Sequence, residues 1–199
     1  VNVVADIKDA LEQAMKVLQG DLRDELKAQG HYNTGKLHDS IEYEIKVSGS
    51  TVVANVVCED YGLIMEFGVS PGRIPFSGTK RGSGGGGKSK YIEGLITFFE
   101  SKGLAGKEAV GAAFATAMTH KHEGMPTNGS FRFSKNGERL GFASQTLNRD
   151  LKLIQETIEN VMGKKVFINV SGLVKMETVN IYTQWQPRFY SHSQPRKLV

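Results

Sequence analysis

Residues 33–62, NTGKLHDSIEYEIKVSGSTVVANVVCEDYG, decide the fold. Inside this stretch the hydrophobic period changes from helical to alternating. Ile41, Tyr43, Ile45 and Val47 alternate with Glu42, Glu44, Lys46 and Ser48, the pattern of a half-buried strand. Ser48, Gly49 and Ser50 carry turn chemistry, and residues 51–58 are a second, valine-rich strand. Two such runs around a short glycine-containing turn predict a β-hairpin. Just upstream, Asn33 or Thr34 is placed to cap a short helical turn carrying Leu37 and Ile41. Just downstream, Asp60 is placed to cap a short helix over 61–67 that Gly68 ends.

Working outward, helices flank the hairpin. Val4, Ile7, Leu11, Ala14, Leu18, Leu22 and Leu26 recur three or four apart, which predicts a long amphipathic helix over 4–29. Gly20 weakens its middle by roughly 1 kcal/mol against alanine and allows a bend there. Pro71, Gly72 and Pro75 enforce loop, and residues 77–90 read as a flexible, basic, glycine-rich loop. Two helices follow. One carries Tyr91, Ile92, Leu95, Ile96 and Phe99. The other carries Ala109, Val110, Ala113, Phe114, Ala117 and Met118, with alanines that predict close helix packing. From about Ser144 a further helix presents Leu147, Leu151, Ile154, Ile158 and Val161 on one face. KVFINV, 165–170, reads as a short strand. The expected fold class is α+β: a long N-terminal helix and further helices packed on a twisted, mostly antiparallel sheet. The expected organisation is one domain over 1–170 followed by an extended C-terminal arm over 171–199.

Composition narrows the function classes. The chain has 199 residues, ordinary hydrophobic and charged shares, and a formal net charge of +4. That mild basic bias permits contact with nucleic acid without requiring it. A single cysteine, Cys58, rules out an internal disulfide and a CxxC-type zinc site, and suits a reducing cytoplasm. No apolar run approaches the ~20 residues of a membrane span, and the N-terminal residues show no signal-peptide pattern.

One motif points elsewhere. GSGGGGKS, 82–89, fits the phosphate-cradling P-loop pattern. A working P-loop needs a buried strand before it, a helix after it, and a Mg²⁺-binding acid after a later strand. The helix is expected here, but the preceding stretch is broken by proline and glycine, and no βαβ alternation is present. Nucleotide hydrolysis is therefore the weaker reading of a basic loop. The loop's cations, Lys80, Arg81, Lys88 and Lys90, stand without an acid among them, and two readings hold: a solvated loop, or an arm that touches DNA phosphates. HKHE, 120–123, places two histidines two apart, which diverge by roughly 200° on a helix and cannot share a metal there. Glu59, Asp60 and Glu66 suggest a carboxylate pair less simply than they suggest a helix cap. No catalytic constellation, cofactor site or metal site is expected. The C-terminal aromatics Tyr182, Trp185, Phe189 and Tyr190, with Arg188, either pack on their own domain or dock on another chain.

In order and spacing, these motifs together resemble the head–tail connector and tail-completion (neck-ring) proteins of tailed bacteriophages. The resemblance covers about residues 4–162. A T-G-x-L-x-x-S-I signature appears as Thr34, Gly35, Leu37, Ser40 and Ile41, and a Y-x-x-x-x-E-F-G signature as Tyr61, Glu66, Phe67 and Gly68. YIEGLITFFESKGL and AFATAMTHKHEGMPTNGSF look like the family's second half. Val69 replaces a usual threonine, the glycine-rich loop is longer than in the family, and the tail from Ser171 has no counterpart. The resemblance implies a non-enzymatic virion protein of the neck or tail, assembled in the host cytoplasm. It would form a homo-oligomeric ring of six or twelve copies between the portal, or an adjacent connector ring, and a tail protein, with double-stranded DNA passing through. It further implies that Thr34 and Gly35 shape a helix start, that Glu66 holds the short helix against neighbouring backbone, and that Phe67 plugs the core. The alternative is a DNA-binding, packaging-associated protein that uses the basic loop.

Overall fold

A computed structural model describes residues 3–49, 51–76 and 89–163. The expected strand over 165–170, the arm with Tyr182, Trp185, Arg188, Phe189 and Tyr190, and the loop cations Lys80, Arg81 and Lys88 lie outside the described residues. The chain is α+β, mostly helical, with one antiparallel hairpin and a long N-terminal helix.

Helix α1, Val3–Ala28, buries Ile7, Ala10, Leu11, Ala14, Met15, Leu18, Leu22 and Leu26 along one side. These positions fall three and four apart, so the helical period turns them to one face. The helix continues unbroken through Gly20, which lies on the exposed side with open space around it. Helix α2, Lys36–Asp39, is a single turn. It is not capped by Asn33 or Thr34: the cap residue is Gly35, in the left-handed region at φ 81°, and Thr34 Oγ1 only meets the Lys36 N–H at 3.4 Å. Leu37 and Ile41 are buried against α1.

Strands β1, Glu42–Ser48, and β2, Thr51–Val57, pair antiparallel with Tyr43 opposite Val56, Ile45 opposite Ala54 and Ser48 opposite Thr51. The alternation turns Tyr43, Ile45, Val52, Ala54 and Val56 toward the α1 core, and Val52 and Ala54 are fully buried. A lone two-stranded hairpin is marginal in water, so this packing is what sustains it. α1 also pins its base: Gln19 Nε2 and Arg23 Nη2 donate to the Ile41 carbonyl at 2.7 and 2.9 Å, and Arg23 Nε donates to His38 O at 3.1 Å.

Helix α3, Tyr61–Phe67, follows. Asp60 makes no cap hydrogen bond, because its own backbone is already helical (φ −52°, ψ −26°) and cannot take the extended geometry a side-chain cap needs. Helices α4, Lys90–Ser101, and α5, Gly106–Glu123, form a hairpin with its own core. Ala109, Ala113 and Ala117, four apart and fully buried, let α5 approach Ile92 and Ile96 closely. Helix α6, Phe142–Met162, starts two residues before the apolar pattern suggests. It buries Phe142, Leu147, Ile154 and Ile158 against α1 in the larger core. Val161 turns out to solvent, while the polar Thr146 and Asp150 are buried.

A two-residue clamp closes the segment between α3 and the loop before α6. Val69 and Met125 exchange both backbone hydrogen bonds at 2.8 Å in an isolated antiparallel bridge. The bridge brings together the two ends of the segment that holds α4 and α5.

Candidate functional site

The first signature ties α2 to the end of the hairpin. Ser40 Oγ donates to Leu37 O at 2.8 Å and accepts from Glu59 N at 3.0 Å. Gly35 is buried, and a Cβ there would stand 3.1 Å from Asp39 Oδ2 and from the Tyr32 hydroxyl. Leu37 and Ile41 supply the apolar contacts beneath. Of the five signature residues, Gly35, Leu37, Ser40 and Ile41 hold local structure, and Thr34 alone is exposed.

The second signature joins α3 to α6. Glu66 is buried, and its carboxylate accepts from Ala143 N at 2.8 Å and Ser144 N at 3.2 Å, while Gly141 N donates to the Glu66 carbonyl at 3.0 Å. The first N–H groups of a helix have no intrahelical partner. Gly141, at the cap position, has no side chain to supply one, so Glu66 serves from another element. Phe67 does not plug the core. The residue is 55% exposed, because burying Met65 and Glu66 turns the next residue of a short helix outward. Leu63, one turn earlier on the same side of α3, is 40% exposed. Gly68 takes φ 70° with Met125 O beside it.

Sequence reasoning missed two polar clusters. In the first, Glu25 of α1 is buried. Its Oε1 accepts from Gln29 Nε2 at 3.0 Å and Asn136 Nδ2 at 2.7 Å, and its Oε2 meets Arg149 Nη1 at 3.3 Å. Arg149 Nε also donates to Asp150 Oδ1 at 3.0 Å. Burial and then the neighbouring Asp150 carboxylate raise the pKa of Asp21. The available signal was polar residues on apolar stripes: Glu25 and Gln29 continue the line of Leu22, and Asp150 stands between Leu147 and Ile154.

The second cluster sits where α3, α5 and the loop before α6 converge. The Tyr91 hydroxyl lies 2.5 Å from His120 Nδ1. Burial and then Tyr61 push the Tyr91 phenol up to about 12, and burial lowers His120, so a neutral phenol and a neutral imidazole share this hydrogen bond. Tyr61 keeps 54% of its surface exposed, yet burial of its hydroxyl end raises its pKa, against the opposing pull of Arg139. His31 Nε2 contacts Arg139 O at 3.0 Å, and burial and then the Arg139 charge push His31 down to about 4. No spacing rule links these residues, which come from five separate segments.

The remaining candidates are placed plainly. Ser89 caps α4, with Oγ accepting from Ile92 N at 3.3 Å, and residues 70–76 before the glycine run hold a short 3-10 turn, Pro71–Arg73, and no strand. Lys90 is exposed at the first position of α4. Cys58 is half-buried, and burial, then Asp60 and Glu59, raise its thiol pKa, which disfavours a nucleophilic thiolate. Among the described residues no three His, Cys, Asp or Glu side chains are grouped to hold a metal, and no helix is long and apolar enough to cross a membrane. Compared with known proteins, the chain matches no family model, no curated protein and no solved structure.

Proposed function

We propose that this chain is a structural virion subunit. In this reading it forms a ring of six or twelve copies at the portal–tail junction of a tailed bacteriophage, a connector, neck or tail-completion piece through which DNA passes. The observation that carries the reading is the outward-turned apolar strip on α3, Leu63 and Phe67. A ring contact is heterologous, so it needs a second apolar patch elsewhere on the subunit. α6 supplies one, with Leu153 at 53% and Val161 at 47% exposed. The order of the two signatures, each containing a residue that joins one element to another, Ser40 in the first and Glu66 in the second, supports the same reading.

The test is a count of copies per purified particle, by quantitative mass spectrometry against the portal subunit. Six or twelve copies are expected. Hundreds would move the chain to tail tube or shell, and none would reopen the DNA-binding reading, which predicts salt-sensitive affinity of the isolated chain for duplex DNA.

A further inference from the structure

A two-residue turn closes the hairpin on a hydrogen-bonded pair, Ser48 and Thr51, and bonded pairs then alternate with non-bonded ones along the ladder. Val52, Ala54 and Val56 fall on the non-bonded pairs, so their N–H and C=O groups point away from β1, toward the outer edge of β2. Among the described residues no strand pairs with that edge, and none of the three makes a backbone hydrogen bond outside the hairpin. Yet the edge is not in water. Ala54 is 0% and Val52 1% exposed, backbone included. Buried backbone donors and acceptors are almost always paired, and one without a partner costs about as much as a lost hydrogen bond. The outer edge of β1 differs. Its outward-pointing residues, Tyr43, Ile45 and Val47, are half-buried or exposed, and water can serve them.

A helix cannot serve a row of strand N–H and C=O groups, because its own are bonded internally. The partner is therefore extended chain. Residues 77–88, SGTKRGSGGGGK, hold no apolar side chain to line a buried edge. Residues 164–199 follow α6, whose Ile154 and Ile158 lie in the same core as Val52 and Ala54, and Gly163, at φ 58°, ends that helix. KVFINV, 165–170, begins two residues on. Its Val166, Ile168 and Val170 alternate with Lys165, Phe167 and Asn169, so one side is wholly β-branched and suits the face that packs on α1. We propose that residues 165–170 of this chain dock on the outer edge of β2 as a third strand and supply the missing backbone partners. The C-terminal arm from Ser171 then departs from the sheet, not from the end of α6. This inference does not depend on the ring reading.

The test is NMR on the full chain, by amide exchange and by NOEs. The Val52 and Ala54 amides are expected to exchange at least about tenfold more slowly than those of Ile45 and Val47, which face the open edge of β1. NOEs are expected between residues 52–56 and residues 165–170. A sample that mixes chains carrying different isotopes separates the sources: NOEs within one chain are expected, and NOEs between chains would overturn the assignment to the chain's own segment. Phe167→Pro and Ile168→Pro give a second readout. Successive N–H groups point to opposite sides of a strand, so one of the two prolines deletes a donor to β2. That variant should speed Ala54 exchange about tenfold or more, while the buried Leu11 and Leu18 of α1 report that the core stays folded. Ala54 exchange as fast as that of Ile45, no response to either proline, or NOEs to the strand-like run TVNIYTQW, 178–185, in place of 165–170 would each overturn the proposal.

Discussion

Glu66, at the end of α3, caps α6: its two carboxylate oxygens take the N–H groups of Ala143 and Ser144. A helix separated from it by a whole α-hairpin is thus started by its side chain. Glu66→Ala removes both bonds and leaves two half-buried donors without that acceptor, so unfolding should become easier by about 1–2 kcal/mol. Glu66→Gln keeps an acceptor but loses the charge that favours a helix N-terminus, and should cost about 0.3–1 kcal/mol. Urea denaturation of both variants checks the order. Equal losses would mean that the charge, not the capping geometry, is what matters.

Gly68 and Gly124 flank the Val69–Met125 bridge as a reciprocal pair. Both have positive φ, and a Cβ on Gly124 would stand 2.5 Å from Val69 O, while one on Gly68 would crowd Met125 O. Both obstacles are backbone, so neither can swing aside. Alanine at either site should lower stability by at least about 1–2 kcal/mol, the cost of the left-handed conformation alone. Gly20→Ala is the counterpart: that glycine is helical, exposed and uncrowded, and the change should raise stability by roughly 0.5–1 kcal/mol. Thermal melts of the three variants should move in these opposite directions.

How much of this was legible follows from what sequence patterns encode. The hairpin and the long helices were readable because burial imposes a period on apolar residues, and Ile45, Ala54, Leu11 and Ile158 obey it. Caps were less readable. Asp60 and Thr34 are the right residue types in the right places, yet the backbone left Asp60 helical and gave the Thr34 position's role to Gly35. The direction of Phe67 depended on which side of a seven-residue helix faces the core, and Glu66, a charged residue, took the buried side. The Arg139 corner was invisible because residues 30, 31, 133 and 139 meet only through the tertiary fold. The expected functional residues of the basic loop and the arm, apart from Lys90, lie outside the described residues.

His31 sets one pH dependence. Its ordinary value of 6.5 falls to about 4 in the folded chain, through burial first and the Arg139 charge second. A folded value below the unfolded one gives stability that is present above pH 6.5 and is lost as pH falls toward about 4. His31→Gln, which can still donate toward the Arg139 carbonyl, should make the loss of unfolding free energy between pH 7 and pH 4 shallower than in the wild type. NMR titration should show the wild-type imidazole neutral until near pH 4, and an imidazole that titrates near 6.5 would contradict the burial of this corner.

Asp21 works in the opposite sense. Burial and then the Asp150 carboxylate raise its pKa, so folding favours its protonated form. That contribution is fully present below its ordinary value of 3.8 and is lost as pH rises through the raised value. The Asp21 carboxyl shares a hydrogen bond with Asp150 when protonated and repels the Asp150 carboxylate when ionised. Asp21→Asn should therefore raise the thermal midpoint at pH 7, with an advantage that shrinks toward nothing at pH 3. Glu25→Ala is the contrasting variant in the same seam. It strips Gln29, Asn136 and Arg149 of a shared acceptor, and should cost about 1–3 kcal/mol at pH 7. If Asp21→Asn instead lowers the midpoint at pH 7, attraction to Arg149, which opposes the raised pKa, outweighs the repulsion between the two carboxylates.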